Sequence, residues 1–494
     1  MGKTYDLIFQ NGLVVTGSNI QKADVGIKGE KITAVQSSLP VKDAGRVIDA
    51  SGKYVIPGVI DVHTHPVYED DMGGLSVTGA HGGTTTLIHY AYAKPGMKLI
   101  DTIKKFKDEG LRKSCLDFGI HGAFFDPANQ VEEIPRAFDL GVTSFKMFMT
   151  YAKLKWMTDD YWLAAAMDLI GANGGLAMVH AENGLVTDYF EDRSLRKGED
   201  PKKVFMKTRP DYLEAEAIFR AISISAVTNC PLYVVHLSTA RGVTPVQRAR
   251  EEGQVVYAET CPQYLTLTDK DLQKKGPLAK IGPPLRLDTD RFALWKGIQR
   301  GTIDVVASDH APKSKKIDDP FFEAAYGSAQ AETMLSVTYD EGINSGWIGP
   351  CHLVRLLSEN PAKIFGLFPR KGSIQKGSDA DLVLFDPTQI QQIHQKALHS
   401  GAPYTLYEGR KCLGKPVLTM QRGKIVVENG EMKGVPGTGK EAVCGRRPGQ
   451  LPLQSPRPTG HGPSVQCGRT AQHAAAVSAW PRRNTKELFR FQGT

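Results

Sequence analysis

No apolar run in this chain of 494 residues reaches the length of about 20 residues that a membrane-spanning helix needs, and the first residues form no apolar signal core. The seven cysteines are scattered, and no two of them form a C-x-x-C pair. An odd and dispersed set indicates reduced thiols and not a disulfide framework. We therefore expect no membrane partner and a cytoplasmic location.

A strong positive charge is also missing from most of the chain, although the formal net charge is +8. The segment from residue 441 onward has eight Lys or Arg and two Asp or Glu, so it carries +6 and the first 440 residues carry +2. A nearly neutral main body gives no electrostatic reason to bind nucleic acid, and we expect no such partner. The hydrophobic content of 41% is ordinary for a globular protein.

Both ends of the chain contain short segments of β character, separated by turn signals such as Asn11-Gly12. They are residues 7–9, 13–15, 25–27, 32–35, 47–48, 381–385, 417–420 and 425–427. We infer that residues 1–53 and 378–436 form one small β-sandwich domain. Residues 437–494 are rich in Pro, Gly and Arg without a period, which predicts a disordered tail.

Between residues 54 and 377, apolar segments alternate with longer helical stretches such as 159–170, 213–228 and 291–299. This alternation predicts a parallel sheet covered by helices. The candidate strands are residues 59–62, 84–88, 118–123, 144–148, 176–179, 232–235, 255–258 and 303–307. Eight such strands predict an α/β fold, with a (β/α)8 TIM-like barrel over 54–377 and the smaller domain beside it.

Polar residues at the ends of these candidate strands predict a metal site. His63 and His65 lie at i and i+2 of one strand, so both side chains project from the same face. His180, His236 and Asp309 follow three other strands. One strand-end histidine is more often a hydrogen-bonded structural residue than a ligand, but so many at equivalent positions favour metal binding at the barrel mouth.

Lys146 is the least ordinary of these residues, because it lies among Phe145, Met147 and Phe148. A lysine that faces the barrel loses hydration, which lowers its pKa and makes the amine nucleophilic. The alternative is a side chain that extends to the rim and keeps its charge in water. Addition of CO2 to the amine would give a carbamate able to bridge two metal ions.

Several motifs in the chain resemble those of the dihydropyrimidinase and D-hydantoinase branch of the cyclic amidohydrolases, from about residue 5 to about residue 437. They are DVHTH at 61–65, GGTTT at 82–86, TSFKMFM at 143–149, VHAEN at 179–183, VHL at 235–237, PPLR at 283–286, SDH at 308–310 and KGSDAD at 376–381. Each motif alone is weak, but together they are specific.

The resemblance implies two zinc ions per subunit and a homotetramer that acts on a small cyclic ureide or imide. One ion would be bound by His63, His65 and Asp309 and the other by His180 and His236, with carboxylated Lys146 and a hydroxide bridging them. In the implied reaction the hydroxide attacks a ring carbonyl that one zinc ion polarises, and Asp309 carries a proton to the leaving nitrogen.

Three further positions follow from the resemblance. Tyr151 matches the family tyrosine that donates to the oxyanion, although without the resemblance a packing role would be the better interpretation. Gly282 precedes Pro283-Pro284 where the family often has Ser-Pro-Pro, and Tyr326 precedes Gly327 where it often has Asn-Gly. In the family, both positions bind the ureide mainly through backbone groups, so we expect Gly282 and Tyr326 to contact the substrate. The two replacements leave the identity of the preferred ring substrate undecided.

The expected function is zinc-dependent hydrolysis of a 5,6-dihydropyrimidine or a 5-substituted hydantoin to an N-carbamoyl amino acid. An allantoinase would share the metal site and differ in the loops around the ring. A different class is a non-catalytic assembly protein that resembles dihydropyrimidinase but has lost metal ligands. Every ligand position is filled in this chain, which favours an enzyme.

Overall fold

The computed structural model describes residues 3–445. Its strands are β1 (Tyr5–Val15), β2 (Ile20–Lys28), β3 (Lys31–Gln36), β4 (Ala44–Asp49), β5 (Tyr54–Pro57), β6 (Val59–Thr64), β7 (Thr84–Ala93), β8 (Asp117–Phe124), β9 (Ser144–Phe148), β10 (Leu176–His180), β11 (Leu232–Val234), β12 (Val256–Thr260), β13 (Val305–Val306), β14 (Leu382–Gln392), β15 (Lys411–Gln421), β16 (Lys424–Glu428) and β17 (Glu431–Met432).

The α-helices are α1 (Met72–His81), α2 (Leu99–Lys113), α3 (Pro127–Gln130), α4 (Ile134–Asp139), α5 (Asp160–Ala172), α6 (Gly184–Arg196), α7 (Pro201–Thr208), α8 (Asp211–Val227), α9 (Ala240–Glu251), α10 (Pro262–Thr266), α11 (Asp269–Lys275), α12 (Asp288–Arg300), α13 (Met334–Tyr339), α14 (Pro350–Val354) and α15 (Asn360–Ile364). Side chains cap several N-termini; for example, Asp159 accepts a hydrogen bond from the backbone N–H of Trp162 at the start of α5. Within residues 3–445, no helix is long and apolar enough to span a bilayer.

Strands β6 to β13 form one parallel sheet in chain order. All residues of β6, β7, β8 and β9 are buried, as expected for strands with helices on one face and the barrel interior on the other. The ring closes beyond β13, where Thr64 forms a parallel bridge with His310. The predicted TIM-like barrel is confirmed, and each of the eight predicted segments contains or overlaps a strand.

The second sheet combines both ends of the described chain in the order β17-β16-β15-β14-β5-β1-β2-β3, with β4 paired to β1. Its centre is the antiparallel pair of β5 and β14, in which Ile56 lies opposite Val383. Apolar residues from both ends, including Phe9, Val25 and Leu418, share one buried cluster. The smaller domain built from both chain ends is therefore confirmed.

The segment 437–445 was expected to begin a disordered tail, and for these residues that prediction is wrong. The N–H of Phe118 in β8 donates to the carbonyl of Lys440, and the N–H of Ala442 donates to the carbonyl of Phe118. Ala442 and Cys444 are buried in the cluster inside the barrel. The remainder of the predicted tail, 446–494, lies outside the described residues. The six cysteines within residues 3–445 form no disulfide with one another, as expected, and Cys467 lies outside this range.

A buried ion cluster joins the barrel to the second sheet. The Nζ atom of Lys371 lies 2.7 Å from Asp117 at the start of β8, 2.5 Å from Asp381 and 3.3 Å from Asp379. Arg422, in the turn before β16, also pairs with Asp117 at 3.1 Å. Only 1% of the Lys371 side chain is exposed, so its charge is balanced almost entirely by these carboxylates.

Replacement of Lys371 by Met should lower the free energy of unfolding by about 3–5 kcal/mol, because it leaves buried carboxylates without their cation. The shift would be measured by denaturant unfolding. Lys376→Met is the matched control, because Lys376 is exposed in the same connecting segment and should change stability little. Equal unfolding midpoints for the two variants would contradict this account of the interface.

Candidate metal centre

His63 and His65 project from the carboxyl end of β6, where the alternation of a strand places both rings on the same side. The ring centroids lie 5.1 Å apart. The carboxylate oxygen Oδ1 of Asp309 lies 3.2 Å from Nε2 of His63 and 3.1 Å from Nε2 of His65. The structure thus brings together the three residues predicted to bind one ion.

Glu259, at the end of β12, orients this group. Its Oε1 atom lies 2.6 Å from Nδ1 of His63 and accepts the N–H of His236 at 3.0 Å, and its Oε2 accepts the hydroxyl of Tyr233 at 2.9 Å. Because the Nδ1 proton of His63 is directed to this carboxylate, the Nε2 lone pair is presented to the site. Burial raises the pKa of Glu259 to about 8. A cation in the site would lower this pKa again, because it favours the charged carboxylate.

His180 and His236 lie beside this group, at the ends of β10 and β11. Their ring centroids are 4.4 Å apart, and the His236 ring lies 5.4 Å from the ring of His63. One nitrogen of His180 is 2.8 Å from Oε2 of Glu182, which also accepts from Arg209 at 3.0 Å. Burial is the main cause that lowers the pKa of both histidines, so both rings are neutral at neutral pH.

Lys146 lies on β9 with 1% of its surface exposed. Its Nζ atom is 5.0 Å from the centre of the Tyr90 ring and 5.2 Å from that of Phe148. The Tyr90 ring also contacts His63 and His65, with centroids 4.9 and 5.2 Å away. Burial lowers the pKa of Lys146 to about 8, so an appreciable fraction of the amine is neutral near pH 7. The side chain does not extend to the rim.

Three residues of the site have left-handed backbone conformations where their strands end. The φ angles are +65° for Tyr151, +38° for His236 and +50° for Asp309. Such conformations cost about 1–3 kcal/mol for residues other than glycine and cluster at functional sites. At these three residues the left-handed backbone changes the direction of the side chain so that it points into the barrel mouth. Strand alternation alone does not predict this direction.

Tyr151, Gly282 and Tyr326 lie together beside His180. The rings of Tyr151 and His180 are 5.3 Å apart, and those of Tyr151 and Tyr326 are 5.9 Å apart. A Cβ atom on Gly282 would lie 3.1 Å from the Tyr151 hydroxyl and 3.1 Å from the Tyr326 ring. Glycine at 282 therefore makes room for the tyrosine at 326, whose hydroxyl accepts from Arg209 at 3.1 Å.

Sequence reasoning missed Glu259 and Arg209. Glu259 directly follows the predicted strand 255–258, so its strand-end position was a signal that could have found it. Arg209 follows the short helix α7, and no periodic pattern singles it out.

The residues present fit a metal ion. His63 Nε2 and His236 Nδ1 are buried and have no hydrogen-bond partner within residues 3–445. With an oxygen of Asp309 they form a group in which all donor atoms lie within 4.8 Å of one another. Neutral imidazoles and a carboxylate are ligands that zinc and similar divalent ions prefer. Unpaired acceptor atoms facing each other in a dry site are stabilised by a cation.

Comparison with known proteins agrees with this geometry. Residues 54–426 match the model of the amidohydrolase family. This chain belongs to that family. It is 38% identical to a D-hydantoinase of Ralstonia pickettii over 88% of this chain and 98% of the relative, and 33% identical to an L-hydantoinase of Paenarthrobacter aurescens over 87% and 96%.

Solved structures give the same result. A D-hydantoinase structure superposes with a TM-score of 0.85 at 37% identity and covers 89% of this chain and 99% of that one. A dihydropyrimidinase from Brevibacillus agri gives 0.84 at 36% identity, with the same coverage. The resemblance to the hydantoinase and dihydropyrimidinase branch is therefore confirmed.

Glu259→Gln should weaken zinc binding by about 10–100-fold, because glutamine removes the charge and one acceptor that orient the His63 ring. The measurement is a competition titration of the purified protein with a chromophoric chelator. Glu251→Gln, at the exposed end of α9, is the matched control and should bind zinc as the unmodified protein does. Unchanged affinity in Glu259→Gln would show that the carboxylate does not support a metal ligand.

Proposed function

We propose that this protein hydrolyses the amide bond of a cyclic ureide, a 5,6-dihydropyrimidine or a 5-substituted hydantoin, and releases an N-carbamoyl amino acid. The proposal rests above all on one observation, that the barrel mouth combines the buried amine of Lys146 with the unpartnered ring nitrogens of His63 and His236. The hydantoinase relatives across most of the chain support the same reaction.

Two zinc ions and a carboxylated Lys146 are the proposed cofactors. The neutral fraction of the Lys146 amine can add CO2, and the resulting carbamate would carry negative charge into a site rich in imidazoles. His63, His65 and Asp309 would hold one ion and His180 and His236 the other, with the carbamate between them. When bound, such a pair of ions supplies hydroxide at neutral pH and polarises a carbonyl oxygen.

Asp309 is the proposed proton carrier. Burial opposes its ionisation, but the hydrogen bond from His65 helps to hold its pKa below the usual value, so the group starts as a carboxylate. A carboxylate at this position can accept a proton from the nucleophile and deliver it to the ring nitrogen as the C–N bond breaks. Proton transfer then stays inside the dry mouth of the barrel.

Tyr151 is the proposed donor to the oxyanion that forms on the attacked carbonyl. Burial raises the pKa of its hydroxyl well above the usual value, so the group keeps its proton at neutral pH. Gly282 and Tyr326 are the proposed contacts to the ring. The Tyr326 side chain is larger than the asparagine that the family often has at this position, and its hydroxyl is hydrogen-bonded to Arg209. It would form one wall of this subsite and restrict the size of the ring that fits.

We further propose a homotetramer. Large apolar side chains are exposed on two helices, Leu185 and Tyr189 on α6 and Tyr212 and Phe219 on α8, and each is more than half exposed. Clusters of this kind mark protein interfaces. The cytoplasmic location and the absence of a nucleic-acid partner remain predictions from the sequence.

Lys146→Ala should abolish hydrolysis of dihydrouracil and hydantoin and reduce the zinc content, because the proposed bridging ligand is gone. The assay monitors ring opening through the loss of ultraviolet absorbance. It compares hydantoin, dihydrouracil, 5-phenylhydantoin and allantoin as substrates. Lys104→Ala on the exposed face of α2 is the control. Activity of Lys146→Ala equal to that of the control would refute the hydrolase proposal, and allantoin as the best substrate would favour the allantoinase alternative.

Tyr151→Phe should lower kcat by about 100–1000-fold with a small change in KM, because the lost hydrogen bond forms to the oxyanion and not to the ground state. Steady-state kinetics on the best ring of the panel measure the effect. Tyr161→Phe, at a 71% exposed position in α5, should behave as the unmodified enzyme. A change confined to KM would assign Tyr151 to substrate binding instead.

A further inference from the structure

A second cluster of metal-ligating side chains lies at the end of helix α1, away from the carboxyl ends of the barrel strands. His81, the last residue of α1, stacks on His399 with ring centroids 3.4 Å apart and planes at 9°. Oε1 of Glu332 lies 3.0 Å from Nδ1 of His399, and its Oε2 accepts the His399 N–H at 2.8 Å. One donor atom from each residue lies within 4.8 Å of the other two.

One ring nitrogen in this cluster lacks a hydrogen bond. Nε2 of His81 is buried and has no hydrogen-bond partner in the described part of the chain. A buried polar atom of this kind is destabilising unless something binds it.

We propose that His81, Glu332 and His399 form a Zn²⁺ site in addition to the centre at the barrel mouth. Two imidazoles and one carboxylate, completed by water, are a ligand set that zinc uses in proteins. Metal–ligand distances of about 2.1 Å place tetrahedral ligand atoms about 3.4 Å apart, close to the observed separation of Glu332 and His399. His399 and Glu332 belong to loops, and coordination would require the His399 ring to turn out of its parallel stack on His81 so that both lone pairs point at one ion.

The position of this cluster suggests what the ion does. Glu332 follows Gln330, whose N–H donates to Nδ1 of His310 at 3.1 Å. His399 precedes Ser400, whose hydroxyl bonds to Asp70, and Asp70 lies 2.8 Å from Nε2 of His310. The ion would therefore join the two segments that hold His310, the neighbour of Asp309 in the chain. We assign it a structural role.

The test compares bound zinc in the full-length protein and two variants, His399→Ala and Glu332→Gln. Each is dialysed against the same free Zn²⁺ concentration, and metal per subunit is measured by mass spectrometry. We expect one ion fewer per subunit in both variants, or an affinity at this site weaker by about tenfold or more. Hydrolysis at the barrel mouth, measured alongside, should stay within about twofold of the unmodified protein and reports that the variants are folded.

His394→Ala is the matched control, because His394 is also an exposed histidine paired with a carboxylate, Glu408 at 2.8 Å. Among residues 3–445, no second imidazole stacks on it. It should bind zinc as the unmodified protein does. Equal zinc content in all four proteins would overturn the proposal and leave an ion pair between His399 and Glu332. In Lys146→Ala the ion at His81 should persist, so the outcome is independent of the hydrolase proposal.

Discussion

Removal of water from one small volume at the barrel mouth is the constraint on which the chemistry of this protein depends. Burial pushes the pKa of Glu259 and that of Lys146 both to about 8, and it holds the pKa of His63 well below its usual value. Each group is thereby driven toward its neutral form. As isolated charges these groups would be unstable, and the divalent cations and the carbamate that we propose would restore the ionised carboxylates and use the imidazole lone pairs.

Much of this arrangement could be predicted because its signals are local. Apolar segments of four to six residues mark the barrel strands, and the strand period places His63 and His65 on one side of β6. His180, His236 and Asp309 come at or shortly after the ends of three other predicted strands. Since parallel strands end at one edge, the position of each residue along its own strand was enough to predict that they lie at the barrel mouth. It did not predict the left-handed backbone that aims His236 and Asp309.

What could not be predicted depends on contacts between distant segments. Arg209, which follows α7, bonds to Glu182, 27 residues earlier in the chain, and to Tyr326, 117 residues later. The structure of residues 437–445 was missed for the same reason, since Ala442 is buried through pairing with Phe118, more than 300 residues earlier in the chain. Composition reports a polar and flexible segment, but it carries no information about an available partner strand.

The central pair of the second sheet has a consequence for biosynthesis. Strand β5 receives its partner β14 only when Leu382 and the residues after it have been made, after the whole barrel. At translation rates of about 5–20 residues per second, the N-terminal strands wait for roughly 20–60 s with one edge open. Unpaired strand edges invite association with other chains. The nascent polypeptide thus passes through a period in which protection by a chaperone, or rapid closure of the barrel, decides how much of it matures.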